Sequence, residues 1–341
     1  MENKVKKENK IKAKGFTLIE LLISMSIGLV LFAGLISVFI GMRTTTTETS
    51  SYGELQENGR FAISLLTDDI LKQSFFGDFS GTLYFPSNLI SVPAAPANDC
   101  VGGGTNNATF PTNALPFRTL WGQTIGADEL NPLNCFSSPA GTSAMVGSDV
   151  IQFKRVIANP IMPGGEQVGR FYLNSNTNIA GIYAQGAVAP VINNARLWEY
   201  QHHVYYVRNR VVGDESVPVL MQGQLINLGM SFAPVIEGIE RIRFMYGIDT
   251  DVSPELPGYG IVNTYVSADN MAQGFWDNAT GARILSIKMY VLVRGAIPDR
   301  QYTNTNTYNL GDASFSVNDN FRRLLFSSTV TLYNNNIDSW Q

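Results

Sequence analysis

Lys14-Gly15-Phe16-Thr17-Leu18-Ile19-Glu20 opens an apolar run that continues to Met42, and its reading decides how the chain is laid out. From Phe16 to Met42 the residues are Leu, Ile, Val, Phe, Met, Gly and Ala, broken only by Glu20, Arg-free, and a few Ser and Thr. As one helix rising ~1.5 Å per residue, the run exceeds the ~20 residues needed to cross a bilayer. A secretory signal peptide would have a core of roughly 7–15 residues followed by a small-residue cleavage site. This run is longer and has no such site. A plain anchor fits the length but leaves Glu20 unexplained, because a carboxylate in hydrocarbon costs several kcal/mol and normally has a partner. Gly15 suggests the partner: a cut between Gly15 and Phe16 exposes an amino group, and Glu20 lies at i+4 from it on the same helix face. Charge pairing within one chain, or between chains packed side by side, would offset the burial.

The same residues carry a resemblance. Lys-Gly-Phe-Thr-Leu-Ile-Glu before a long apolar helix resembles the class III signal of type IV prepilins and type II secretion pseudopilins. That resemblance implies cleavage after Gly15 by the prepilin peptidase and N-methylation of Phe16. It also implies that Glu20 recognises the amino terminus of an adjacent subunit and so sets the registry of assembly.

Charge is divided unequally around the run. Residues 1–15 carry six lysines and two glutamates, whereas the whole chain has a net charge of −4. The remainder is therefore acidic, which argues against a dispersed nucleic-acid patch. Basic residues beside an apolar segment stay in the cytoplasm, so the part after Met42 is expected to be exported. The two cysteines, Cys100 and Cys135, lie in that part. They are either bridged or free and buried. The Gly-, Asn- and Pro-rich stretch between them favours a bridge, worth roughly 3–4 kcal/mol on the chain-entropy model.

Beyond Met42 the chain turns polar without a proline, so the helix can continue. Leu55, Gly59, Ile63, Leu66 and Ile70 then recur at helical spacing and form a face seeking a partner. The helix is expected to end near Ser74. Residues 77–147 read as loops, rich in Gly, Asn and Pro. From Ser148 onward the pattern is β, with strands expected over 150–157, 170–173, 197–208, 217–226, 239–248, 284–294 and 321–333. Alternation within 239–248 and 284–294 suits an antiparallel sheet with one wet face, the other being covered by the Leu55–Ile70 helix face. The fold class is α+β: a long N-terminal helix on antiparallel sheet. The layout reads as a cleaved leader (1–15), a membrane-spanning half-helix (16–42), an amphipathic half-helix (43–74), a variable loop region (75–147) and a β domain (148–341).

A second, more specific resemblance follows from three blocks. Leu55-Gln56-Glu57-Asn58-Gly59-Arg60-Phe61-Ala62, with Leu66, Asp69 and Ile70, resembles a helix segment of the PilW family of minor pilins. So do Gly238–Asp251 with Val262–Ala268, and the closing Phe321–Val330; the region 77–235 carries little resemblance. After Asp251 the family's Gly/Asp-rich continuation is replaced by Val-Ser-Pro-Glu-Leu-Pro. Membership would imply a subunit that primes pilus growth from the inner membrane and sits near the tip. Its partners would be other minor pilins, the major pilin, the prepilin peptidase, the inner-membrane assembly platform and a large tip adhesin. Two rival readings are a J-type pseudopilin of type II secretion, and a binding module whose 77–147 loops contact a surface or DNA.

Catalytic and metal chemistry finds little support in the residues. His202 and His203 are adjacent on a strand, so they point to opposite faces and read as partly buried or surface residues. No nucleophile elbow, zincin or phosphate-loop pattern occurs. Asp249, Asp251, Ser253 and Glu255 begin like a calcium loop, but Pro254 stands where the tight turn wants Gly, and a hairpin turn is the better reading. No cofactor, metal or direct nucleic-acid partner is expected. Arg241, Arg243, Arg322 and Arg323 read either as ordinary surface charge paired with carboxylates or as a contact surface for a partner subunit.

Overall fold

The computed structural model describes residues 15–79, 88–112, 116–136, 144–212, 215–251, 253, 255–277 and 282–334. Most of the expected leader lies outside them. Helix α1 runs Leu18–Lys72. The chain divides into two compact units, one ending at Gly53 and the other beginning at Glu54. In the first unit every described side chain from Gly15 to Ser50 is exposed, and α1 is the one described helix long and apolar enough to cross a membrane. Hydroxyl groups along it are turned inward: Ser24 Oγ donates to the Glu20 carbonyl at 2.7 Å and Ser26 Oγ to that of Leu22 at 2.8 Å. Such i−4 bonds keep polar groups satisfied on an apolar helix.

The second unit begins with the amphipathic end of α1. Leu55, Ala62, Leu66 and Ile70 are buried to within 1%. Ala62, rather than Ile63, continues the buried face, since Ile63 is only half-buried. Gly59 belongs to the same face for a steric reason: a methyl group there would lie 2.1 Å from Cε2 of Phe326. The helix stops at Lys72, and Ser74 follows with a left-handed φ of 57°.

One sheet has eight strands: β1 (Leu89–Ser91), β2 (Leu120–Thr124), β3 (Asp149–Val156), β4 (Phe171–Ser175), β5 (Ala180–Ala184), β6 (Arg196–Val212), β7 (Glu215–Ile226) and β8 (Gly229–Glu237). Their order is β1-β5-β4-β6-β3-β2, with β7 and β8 continuing from β6. The long β6 thus pairs with β4 through its first residues and with β7 through its last. A second sheet is ordered β10 (Thr264–Ser267), β9 (Ile239–Asp249), β11 (Arg283–Arg294) and β14 (Arg323–Thr331). The hairpin β12 (Thr307–Leu310) and β13 (Ala313–Ser316) stands apart. The sheets are stitched by side chain to backbone: Asp149 Oδ2 accepts the Phe244 N–H at 2.7 Å, and Ser148 Oγ accepts that of Ile242 at 3.0 Å.

Several expectations are corrected here. The stretch read as loops contributes β1 and β2 to the large sheet. β5 and β8 lack the alternating pattern: β5 is short and contains Gly181, and β8 carries Pro234. The turn into β8 is made by Asn227 and Leu228, both at positive φ (52° and 57°), so the tight-hairpin geometry is present without its usual Asn-Gly signature. The second sheet has no wet face over β9, where every residue but Arg241 is buried. The β12–β13 hairpin covers that side: its Phe315 ring lies under the Arg241 guanidinium, and a methyl at Gly311 would fall 2.8 Å from Met245.

Candidate assembly site

At the start of α1, Thr17 and Glu20 form a capping box. Glu20 Oε2 accepts the Thr17 backbone N–H at 2.8 Å and the Thr17 hydroxyl at 2.8 Å, while the Glu20 N–H donates to Thr17 Oγ1 at 3.3 Å. Sequence reasoning paired Glu20 with an amino group at Phe16. With Gly15 still attached that nitrogen is a peptide, and the carboxylate turns to Thr17 instead. Both accepted bonds fall on Oε2; among the described residues none reaches Oε1. Phe16 is 88% exposed.

In the second unit, the helix is tied to the large sheet by a buried carboxylate. Asp69 is 3% exposed. It accepts bonds from Arg155 Nη2 at 2.6 Å, His203 Nδ1 at 2.5 Å and the Tyr205 hydroxyl at 2.5 Å. Burial alone would raise this carboxyl; the bond and charge of His203, the Arg155 charge and the Tyr205 hydroxyl outweigh it and hold it well below the usual carboxylate range. Burial, together with the Asp69 charge, pushes the Tyr205 phenol up. The sequence marked Asp69 only as part of a resemblance, and nothing local announced its partners.

The neighbouring His202 faces a separate network. Its Nδ1 meets Thr109 Oγ1 at 2.8 Å and its Nε2 meets Gln152 Oε1 at 2.9 Å. Both histidines are buried rather than surface residues, and they take different partners, as adjacent strand positions must. Burial, then the charges of Lys154 and His203, hold the His202 imidazole well below its ordinary value, so it stays neutral.

The four arginines read as a contact surface are engaged within the unit. Arg243 and Arg323 are buried. Arg243 binds Asp149 at 3.1 Å, Asp312 at 2.8 Å and Asp269 at 3.2 Å. Arg323 binds Glu240 at 2.6 Å and Asp319 at 2.7 Å. Arg322 pairs with Asp299 at 2.8 Å and lies over the Tyr302 ring, and Arg241 donates to the Val146 carbonyl at 2.9 Å. In the calcium-like stretch, the Asp249 oxygens accept the N–H groups of Asp251 and Gly260 at 2.9 and 2.8 Å, and Arg283 stands 3.3 Å away. Those oxygens build a turn. Cys100 and Cys135 are disulfide-bonded, with Cα atoms 4.9 Å apart.

A capped apolar helix bearing one carboxylate at its start, followed by a largely antiparallel β domain, defines an α+β, class III prepilin-like protein. Residues 10–36 match the prokaryotic N-terminal methylation motif. Residues 204–334, from within β6 to just past β14, match the family described as Type IV Pilus-assembly protein W, which supports placing the chain in the PilW family. That match starts within the 77–235 region expected to carry little resemblance, and does not include the helix segment 55–70 expected to share it. No curated protein and no solved structure gives a match. Motif and helix together make this a membrane-anchored, pilus-related protein.

Proposed function

We propose that this chain is a non-enzymatic minor pilin that primes type IV pilus assembly and sits at or near the tip with other minor pilins. The prepilin peptidase would cut after Gly15 and the new Phe16 terminus would be methylated. The carrying observation is the Glu20 carboxylate, which is placed on the otherwise apolar run up to Met42 with one oxygen capped by Thr17 and the other without a bond among the described residues. A cationic amino terminus of a neighbouring subunit supplies the missing partner. Because an unpaired charge in hydrocarbon costs several kcal/mol, only one stacking register is favourable. The periplasmic placement of the β domain, the assembly platform as docking site and a large adhesin above the complex belong to the same reading.

Two measurements test it. Intact-mass spectrometry of membrane-extracted protein should show loss of residues 1–15 and gain of one methyl group; an uncut chain overturns the reading. Glu20→Ala should insert and be cut normally but co-purify poorly with other pilins, and wild-type piliation in that variant removes the registry role.

A further inference from the structure

Lys154, on β3, has no exposed surface, and among the described residues it forms no ion pair. Its Nζ donates to Asn107 Oδ1 at 2.9 Å and to the Arg118 main-chain carbonyl at 2.8 Å, and it lies 4.7 Å from the centre of the Phe117 ring. Asn107 is itself only 2% exposed. Its Nδ2 donates to the Gly103 carbonyl at 2.9 Å, and its Oδ1 takes a second N–H from Gln152 Nε2 at 2.6 Å. Gln152 is fixed in turn, because its own oxygen faces His202 Nε2. A primary amine and a primary carboxamide are thus held together in a closed pocket, with the carboxamide oxygen polarised by two donors. Burial draws the amine well below its ordinary value, opposed by Asp99 and reinforced by Arg118, so the neutral, nucleophilic form is accessible.

We propose that Lys154 and Asn107 condense into an intramolecular amide cross-link. The carboxamide carbon lies about 1.23 Å from Oδ1, so Nζ is within about 4 Å of it, close to the ~3–3.5 Å of a near-attack arrangement. The Nζ lone pair forms the new C–N bond at Asn107 Cγ. Negative charge builds on Oδ1, where the Gln152 N–H already points. One hydrogen passes from Nζ to Nδ2, the Cγ–Nδ2 bond breaks and ammonia leaves. Nothing is oxidised or reduced. The product keeps the contacts that matter: the amide N–H still donates to Arg118, and the amide oxygen still accepts from Gln152. What disappears is a buried amine, whose ionised form is costly without a partner. The bond would fasten the 101–118 stretch to β3 independently of the disulfide.

The test uses the full-length protein, reduced, alkylated and digested with trypsin. The nearest cleavage sites give peptides 73–118, holding Asn107, and 119–155, holding a blocked Lys154. The expected product is these two peptides joined after reduction, about 17 Da lighter than their sum, the mass of ammonia. Reduction matters because Cys100 and Cys135 join the same two peptides. Asn107→Ala and Lys154→Arg should each release them. Separate peptides from the unaltered chain, with cleavage after Lys154 and no loss of mass, overturn the proposal whether or not the variants fold. Joined peptides in Asn107→Ala overturn the assignment to Asn107.

Discussion

Replacing Asp69 by Ala removes the acceptor shared by Arg155, His203 and Tyr205. The three donors lie largely out of water: Arg155 is 7% exposed, His203 9% and Tyr205 fully buried. Breaking a buried ion pair from one side costs about 3–5 kcal/mol, because the remaining charge is left uncompensated. The orphaned Tyr205 hydroxyl adds roughly 1–3 kcal/mol. It retains the Gln222 amide at 2.5 Å as a donor to its oxygen, which does not replace an acceptor for its hydrogen. Relaxation of the neighbouring side chains around the smaller residue offsets part of the loss. The net expectation is about 4 kcal/mol, a large share of the ~5–15 kcal/mol typical of a folded domain. The assay is urea unfolding of the full-length chain in detergent, followed by tryptophan emission. Trp198 is a suitable reporter: it is 5% exposed and packs edge-on against Phe75 just beyond the helix, with ring centres 5.9 Å apart. With a slope of about 3 kcal/mol/M, the midpoint should fall by about 1–2 M. A double-mutant cycle with Arg155→Ala should return a coupling of roughly 2 kcal/mol or more. A midpoint within about 0.3 M of wild type, or no coupling to Arg155, would refute the claim that this node holds the helix end to the sheet.

Other outcomes follow from the same contacts. Asp69 has a folded-state pKa below its unfolded value, so its contribution is present above the unfolded value of about 3.9 and is lost as pH falls below it. The stability gap between wild type and Asp69→Asn should therefore narrow between about pH 5 and pH 2; a gap that stays constant in that range would contradict the linkage. Gly59→Ala places a methyl against the Phe326 ring and should cost about 1–3 kcal/mol by overpacking, read as a lower urea midpoint, whereas Gly53→Ala, which meets nothing within 4 Å, should not. Cys100→Ser with Cys135→Ser opens a loop of 35 residues and should lower stability by about 4 kcal/mol on the chain-entropy model, measured as the same midpoint shift with and without reductant.

What the sequence disclosed and what it withheld divide along a physical line. The helix, its carboxylate and the β9 and β11 strands were legible because their signals lie within a few residues of one another. Alternation along Ile242, Phe244 and Tyr246 marked one buried face correctly. It misled about the other face, because a charged side chain on an alternating strand is most often exposed. Arg243 is instead enclosed by carboxylates from three distant places, Asp149, Asp269 and Asp312. The node at Asp69 hid for the same reason: its partners lie 86, 134 and 136 residues away. Local pattern predicts which residues prefer water. It does not predict where a fold will gather opposite charges so that they no longer need it.

That distinction bears on Glu20. A carboxylate removed from water requires donors, and this chain shows two ways of providing them. Asp69 and Asp149 are met by donors brought together from within the same chain, including Arg155 and His203 for one, and Arg243 with the Phe244 N–H for the other. Among the described residues Glu20 is met by Thr17 alone, three residues away, and on Oε2. Uncharged donors at a helix start stabilise a carboxylate by the order of 1 kcal/mol, less than the several kcal/mol that hydrocarbon exacts. On the proposed reading the deficit is made up by a cation, which none of the described residues places beside Glu20 while Phe16 remains in peptide linkage. Cutting after Gly15 creates such a cation, and it can reach Glu20 from the same chain or from an adjacent one. Thr17 already occupies Oε2 from the near side, which leaves Oε1 for a donor arriving from outside the helix. Glu20→Gln separates the two: it keeps a capping oxygen but loses the charge, so helix formation and processing should persist while co-purification with other pilins falls.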